Sequence, residues 1–327
     1  PTEVAIENDS IDLEMRIFEG PQATVDRVEI MGNDRTHEHV VRREIRTRPG
    51  QKFNRSELIR SQRQIINLGY FNQENLGMNT PVNANRGTVD IEYTVEEQSS
   101  DQLELSAGYQ PSNAFYRGGL IGTLGITFNN FSLRNLFEGK AWSPLPQGDG
   151  QRLSLRGQTN GNFYQSYNFS FTEPWMGGKK PNSLTLAGFF TKSSQAFIQE
   201  NPPSFSIAQV SVGLGTRLNW PDDNFVVNST INLQRITLDD FSNIFLLPNG
   251  TSIANGGFNN FYFQQTIARS TVVEPIFPKD GSSFSLTIQL TPPYSLINNK
   301  NYGDLTPQEK YRFIEYHKWK FAAEWYK

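Results

Sequence analysis

The chain has 327 residues, 30 Lys and Arg against 33 Asp and Glu, and no cysteine. Disulfide scaffolds, zinc ribbons, iron–sulfur sites and thiol catalysis are thereby excluded, and no basic excess points to nucleic acid. Mean hydropathy is −0.53, and no run approaches the ~20 apolar residues of a transmembrane helix. Yet aromatics reach 13 %, with 24 Phe, 12 Tyr and 5 Trp. A polar chain rich in aromatics suits strands that show apolar groups on alternate residues, a pattern that a hydropathy window does not detect.

In chain order, Ile11–Gly20 is strand-like. Val25–Met31 reads as a strand. Thr36 opens a short helix running to Glu44, as its N-cap. Asn54 caps a second helix from Arg55 to Leu68, which Gly69 ends. Tyr70–Met78 and Thr88–Val95 then read as strands around a turn at Asn83–Gly87. Strand, helix, helix, strand, strand is a small α+β domain with both helices on one face of a short sheet. Arg35 to Arg63 holds nine basic residues against three acids. This patch, with Arg42, Arg43, Arg46, Arg60 and Arg63, is either a solvated helix surface or a face for an anionic partner.

Near residue 100 the period of 3.6 gives way to a period of two. Leu103–Tyr109, Leu120–Phe128, Leu153–Leu155, Tyr167–Phe171, Leu184–Leu186, Val210–Leu218, Phe225–Leu233, Phe258–Ala268, Phe284–Leu290 and Arg312–Trp325 give about ten strands, each with an apolar and a polar face. A soluble sandwich alternates too. Most of these strands have the length that crosses a bilayer when tilted, and their connections alternate in kind. One set is short and rich in proline and acids: Glu173-Pro174-Trp175, Trp220-Pro221-Asp222-Asp223, and Glu274-Pro275 through Gly281. The other is longer and rich in Asn and Ser: Lys192–Ser206, Leu238–Gly257 and Thr291–Lys310, with a hairpin signal at Asn160-Gly161. The long Asn129–Gly150 connection breaks the rule and reads as an interfacial segment or a plain loop. Together these features favour a membrane barrel.

Enzyme signals are weak. His37, His39 and His317 cannot build a histidine cage, no Gly-x-Ser-x-Gly occurs, and Gly213-Leu214-Gly215 lacks the third glycine of a dinucleotide loop. The adjacent acids at 222/223 and 239/240 read as turn residues. No catalytic residue, metal or cofactor is expected.

The first hundred residues carry a succession of short motifs: Val28–Thr36, Val40–Glu44, Pro49-Gly50 with Phe53-Asn54, Leu68–Phe71, and Val89–Glu97. In this order and spacing they resemble the last POTRA domain of the BamA outer-membrane protein assembly factor family. The barrel part resembles the same family more loosely. Leu103–Tyr109 looks like its first barrel strand, and Thr172–Trp175 and Phe277–Ser282 like its periplasmic turns. The family's Arg-Gly-Phe/Tyr motif is missing, since Arg86-Gly87, Arg117-Gly118 and Arg156-Gly157 have the wrong neighbours.

The resemblance implies residues 1–23 as the end of a preceding POTRA domain, 24–99 as the last one, and 100–327 as the N-terminal ten or so of about sixteen barrel strands, hence a partial chain. It implies a bacterial outer-membrane location with the POTRA domain in the periplasm. The implied function is folding and insertion of outer-membrane barrels by strand templating at a lateral seam. Leu103, Glu104, Leu105, Ser106, Ala107, Gly108 and Tyr109 would form the seam strand, with Gly108 limiting bulk there. Implied partners are unfolded outer-membrane proteins, accessory periplasmic lipoproteins facing the basic surface, and outer-membrane lipid and lipopolysaccharide; nucleic acid is not among them. A two-partner secretion or translocation-and-assembly relative is the alternative, and a passive pore a lesser one.

Overall fold

The computed structural model describes residues 2–6, 10–14, 22–111, 119–139, 142, 145–161, 163–194, 202–222, 224–241, 245–246, 250, 252–272, 278–297 and 303–326. Outside them lie 15–20 of the first expected strand, Arg117-Gly118, Asp223, 195–201 and 242–244 of the longer connections, and 273–277 of one expected turn. The chain divides into two units, Pro1–Gln98 and Ser99–Lys327.

The first unit opens with β1 (Thr2–Ile6) paired antiparallel to β2 (Ser10–Glu14). There follow β3 (Thr24–Met31), α1 (Glu38–Arg42), α2 (Arg55–Asn67), β4 (Gly77–Asn79), β5 (Val82–Asn83) and β6 (Thr88–Thr94). The sheet order is β3-β6-β4, with β5 also on β6, and β3 runs parallel to β6. The core holds Val25 and Val28 of β3, Val40 and Val41 of α1, Leu58 and Ile65 of α2, and Val89, Ile91 and Tyr93 of β6. Alternate β6 residues and i, i+7 residues of α2 thus meet across one layer boundary. Asn54 caps α2 as expected, its side chain accepting from the Ser56 amide at 2.9 Å. Gly69 follows with φ +73°.

Two expectations need correction here. Position N-cap of α1 belongs to His37, not Thr36. Thr36 is buried, and its amide donates to Glu97 Oε1 at 2.6 Å while that of Arg35 donates to Glu97 Oε2 at 2.9 Å. Glu97, distant in sequence, thus holds the two backbone amides just ahead of the N-cap. Nor is Tyr70–Met78 one strand. Tyr70 and Phe71 enter the core, an Asn72 side chain turns the chain by accepting from Glu74, and β4 begins only at Gly77.

The second unit is one antiparallel meander: β7 (Gln102–Gln110), β8 (Gly119–Phe131), β9 (Gln151–Thr159), β10 (Tyr164–Glu173), β11 (Asn182–Ser194), β12 (Ser204–Arg217), β13 (Phe225–Asp239), β16 (Gly256–Ser270), β17 (Gly281–Leu290) and β18 (His317–Tyr326). The small pair β14 (Phe245–Leu246) and β15 (Ser252–Ile253) sits within the β13–β16 connection. Ten strands in chain order match the expectation. The last is shorter than expected, because the chain just before it serves another strand. The Asn259 amide of β16 donates to the Arg312 carbonyl and accepts, through its own carbonyl, from the Ile314 amide.

The alternation produces two unlike faces. Leu124, Leu155, Phe169, Val210, Val212, Ile231, Leu233 and Phe321 stand exposed on one. The other carries hydrogen-bonded polar ladders: Thr127–Ser154, Ser166–Thr191, Thr266–Thr287, and the chain Asn232–Gln209–Gln234–Asn260. Among the described residues no helix is long and apolar enough to cross a membrane. At the end reached by residues 240–255 and 291–316, the polar face is covered. There Phe205, Ile236 and Phe258 meet Leu238, Phe241, Ile253, Tyr311 and Ile314.

The described part of the connection 132–150 is tied to the strands beside it by buried polar contacts. Ser132, Pro146 and Asp149 are buried. Ser132 Oγ donates to Asp149 at 2.6 Å, the Gly150 amide to Asn130 Oδ1 at 2.9 Å, and Gln147 to Asp101 at 2.8 Å. On the apolar side, the Leu133 amide donates to Gln151 Oε1 at 2.7 Å, and Gln151 donates to Glu173 at 2.8 Å. Phe131 meets Phe171 edge-on there. Phe137 and Trp142 remain exposed.

Candidate functional site: the first sheet strand and the basic helical surface

β7 is the first strand of the meander, and among the described residues it pairs with β8 alone, from Gln102↔Thr127 to Gln110↔Gly119. Its odd residues continue the apolar face, with Leu103, Leu105 and Tyr109 exposed by 71, 80 and 69 %. Its even residues, Glu104, Ser106 and Gly108, take the polar face. A Cβ added at Gly108 would meet nothing within 4 Å. All seven expected residues therefore lie on one strand, which among the described residues stands at the edge of the sheet.

One residue set on this strand escaped the sequence reading. Glu104 accepts from Arg156 Nε at 3.1 Å and Nη2 at 3.0 Å, a two-pronged pair between β7 and β9. It passes over Gly125 of β8, the residue paired with both. A Cβ at Gly125 would lie 3.0 Å from Glu104 Oε2. The signal was a charge on each of two strands with a glycine between, legible only once the register is known.

A second ion pair closes the β12–β13 turn. Arg269 donates to Asp222 Oδ2 at 2.8 Å through Nε, and Asp222 also accepts from the Asn224 amide at 3.0 Å. The Arg269 guanidinium holds the Asp222 carboxyl below the usual carboxylate range. Asp222 is thus a turn residue, as expected, and also an anchor for the neighbouring strand. Gly213 and Gly215 lie inside β12.

The basic surface of the first unit is less uniform than the sequence suggested. Arg42 is exposed but pairs with Glu38 and also donates to the Val28 carbonyl at 3.2 Å. Arg46 and Arg60 share Glu57, at 3.8 and 3.3 Å. Arg63 is exposed, and among the described residues it forms no ion pair. Arg43 does not belong to the surface: its side chain is only 9 % exposed and lies 3.9 Å from Glu44. Helical periodicity explains this, since Arg43 lies three residues after the buried Val40 and so on the same side of the turn, whereas Arg42 between them faces out.

The Gly32 turn carries the first of the motif succession. Its φ is +91°, and a Cβ there would fall on the Val95 carbonyl. Met31 and Val95 pair through a 2.8 Å backbone bond beside it. The glycine is required by both backbone angle and close approach.

Comparison with known proteins agrees with this geometry. Residues 23–98 match the POTRA family, described as a surface antigen variable number repeat, and residues 147–325 match the Omp85 superfamily domain. The chain is 24 % identical over 304 residues to the outer membrane protein assembly factor BamA of Neisseria meningitidis serogroup B, covering 89 % of this chain and 35 % of that protein. It is 30 % identical over 173 residues to BamA of Nitratidesulfovibrio vulgaris, covering 53 % of this chain and 19 % of the relative. The chain therefore spans about a third or less of the length of these relatives. The crystal structure of BamA from Haemophilus ducreyi lacking POTRA domains 1–3 superposes with a TM-score of 0.57 at 20 % identity, covering 89 % of this chain and 53 % of that one. With a POTRA domain followed by ten strands of a β-barrel sheet, the chain belongs to the Omp85 superfamily.

Proposed function

We propose that this chain is the POTRA–barrel junction of an outer-membrane protein assembly factor, with β7 as the strand on which incoming barrel strands are templated. The carrying observation is topological. The meander runs away from β7 in chain order, so in any closed up-and-down barrel β7 meets the final strand at the closure. An edge freed there offers unpaired N–H and C=O groups, and an incoming strand can pair with them. The small residues Ser106, Ala107 and Gly108 support the reading, since a strand with little side-chain packing separates readily. No bond of the client is made or broken, so the reading requires no catalytic group.

In this reading the chain resides in the bacterial outer membrane. The POTRA domain lies in the periplasm, and the 240–255 and 291–316 connections face outward. Clients are unfolded outer-membrane proteins. Accessory periplasmic lipoproteins would meet the POTRA domain at the exposed Arg60 and Arg63 rather than at the inward Arg43.

The test places cysteines at Gly108 and on the final strand of the full-length protein. Locking the closure by a disulfide is expected to stop client insertion, and reduction to restore it. Insertion at full rate with the closure locked would refute the templating role.

A further inference from the structure

We infer that the apolar face of the sheet carries a slot for one phosphorylated, multiply acylated lipid, the lipid A part of lipopolysaccharide. The inference rests on the orientation proposed above, which places the end bearing Lys192 and Arg235 in the outer leaflet.

The slot arises from register. On the apolar face, Gly157 of β9 pairs with Tyr167, Gly188 of β11 pairs with Phe169 and Val210, and Ala208 of β12 pairs with Phe190. Three neighbouring positions thus lack a large side chain while their partners carry aromatic rings. The result is a groove of about 940 Å³, floored by Gly157, Gly188 and Ala208 and walled by Leu155, Phe169, Phe190 and Leu233. The floor is open rather than tightly packed. A Cβ at Gly188 would meet nothing nearer than the Gln209 carbonyl at 3.5 Å, and one at Gly157 nothing nearer than the Tyr167 ring at 3.6 Å.

Two cations stand above the groove on the same face. Lys192 follows Phe190 by two residues on β11, and Arg235 follows Leu233 by two on β13, where it pairs with Ala208. Both are exposed, and among the described residues neither forms an ion pair. Arg235 itself lines the groove, and its Nη2 lies 3.2 Å from where a Cβ of Gly257 would be. Gly257 lies one pairing step nearer the strand end, so its missing side chain makes room for the guanidinium at headgroup level. A cation facing lipid costs up to ~2–4 kcal/mol at mid-depth and less near the interface, so two without partners imply anionic headgroups.

The dimensions select the lipid. Lys192 and Arg235 are two strands apart, ~10 Å, and β9 to β13 span ~19 Å at the usual strand spacing. That matches two separated phosphates over several acyl chains better than one phosphate over two.

The test uses full-length protein in detergent, offered lipid A or phosphatidylglycerol in separate arms, with retention read by native mass spectrometry. Wild type should retain lipid A and shed phosphatidylglycerol. Lys192→Glu with Arg235→Glu should lower lipid A retention at least about tenfold, as expected for loss of two charge-assisted phosphate contacts. Gly188→Leu, which fills the floor and keeps both cations, should lower it as well. Lys318→Glu with Lys320→Glu, on the polar face of β18, should not. Heat-modifiable mobility checks that each variant folds. Undiminished lipid A retention in the folded double variant, or equal retention of phosphatidylglycerol, overturns the inference. Cysteine at Leu246, labelled by an impermeant maleimide on intact cells, separates the two readings. If it labels and lipid A does not bind, the slot alone fails; if it does not label, the orientation fails and the slot with it.

Discussion

The two units bury opposite things. The POTRA domain hides Val25, Val41, Ile65, Ile91 and Tyr93 almost completely and leaves Arg42, Arg46, Arg60 and Arg63 outside. The barrel sheet exposes Leu105, Val210, Ile231 and Phe321 and encloses Thr123, Ser166 and Asn232. One chain thus obeys two solvents. In water the apolar stripe of a helix must find a sheet, whereas a strand between lipid and a wet lumen needs only to alternate. The POTRA domain is specified by shape complementarity in a core. The sheet is specified by backbone pairing and by side-chain ladders that hold its register.

That contrast is sharpest at matched truncations. Ile91→Ala should cost the POTRA domain about 2–5 kcal/mol, measured by hydrogen exchange of its amides in the full-length protein. Val212→Ala, an aliphatic truncation on the apolar face of the sheet, should cost far less when the barrel is unfolded from lipid vesicles. Similar losses at the two sites would break the comparison. Next in size is Val212→Arg, expected to cost about 2–4 kcal/mol in lipid if the position lies near mid-depth. A loss near zero in the same vesicle titration would mean that this face is not in contact with acyl chains.

Local chemistry gives smaller effects. Asn54→Ala should cost the POTRA domain about 1 kcal/mol through the lost cap on α2, seen as faster exchange of the Ser56 and Glu57 amides. The last effect concerns pH at the β12–β13 turn. The folded carboxyl of Asp222 titrates below its unfolded value. Its pairing with Arg269 is therefore present at neutral pH and is lost as pH falls through the range below ~4. Amide protection of Asn224 should drop over that interval in wild type and be pH-independent in Asp222→Asn. In the POTRA domain, burial pushes the Tyr93 phenol up, so its contribution persists to alkaline pH and fades only above the ordinary phenol range.

Period alone was enough to find the strands. Leu120–Phe128 or Val210–Leu218 alternate so regularly that an isolated segment identifies its two faces. What period cannot give is which residues stand side by side. Glu104 and Arg156 are 52 residues apart in sequence and meet because two registers place both against Gly125. The groove over Gly157, Gly188 and Ala208 exists for the same reason. The bulge between Phe128 and Phe131 shifts the pairing of β8 with β9, so the polar knot around Ser132 and Asp149 was not legible either. In the POTRA domain the failures were of another sort. Thr36 had the right chemistry for a cap, but the helix starts one residue later, with His37 at the N-cap position. Arg43 had the right charge for a surface, and its place beside Val40 and Val41 turned it inward.

The Glu104–Arg156 pair has a mechanical consequence. Because it steps over Gly125, it acts as a strut from the first strand to the third, bypassing the second. Pulling β7 off β8 must break this strut in addition to the backbone rungs. Substituting Gly125 by a larger residue would push the strut aside and leave the rungs alone to hold the two strands together.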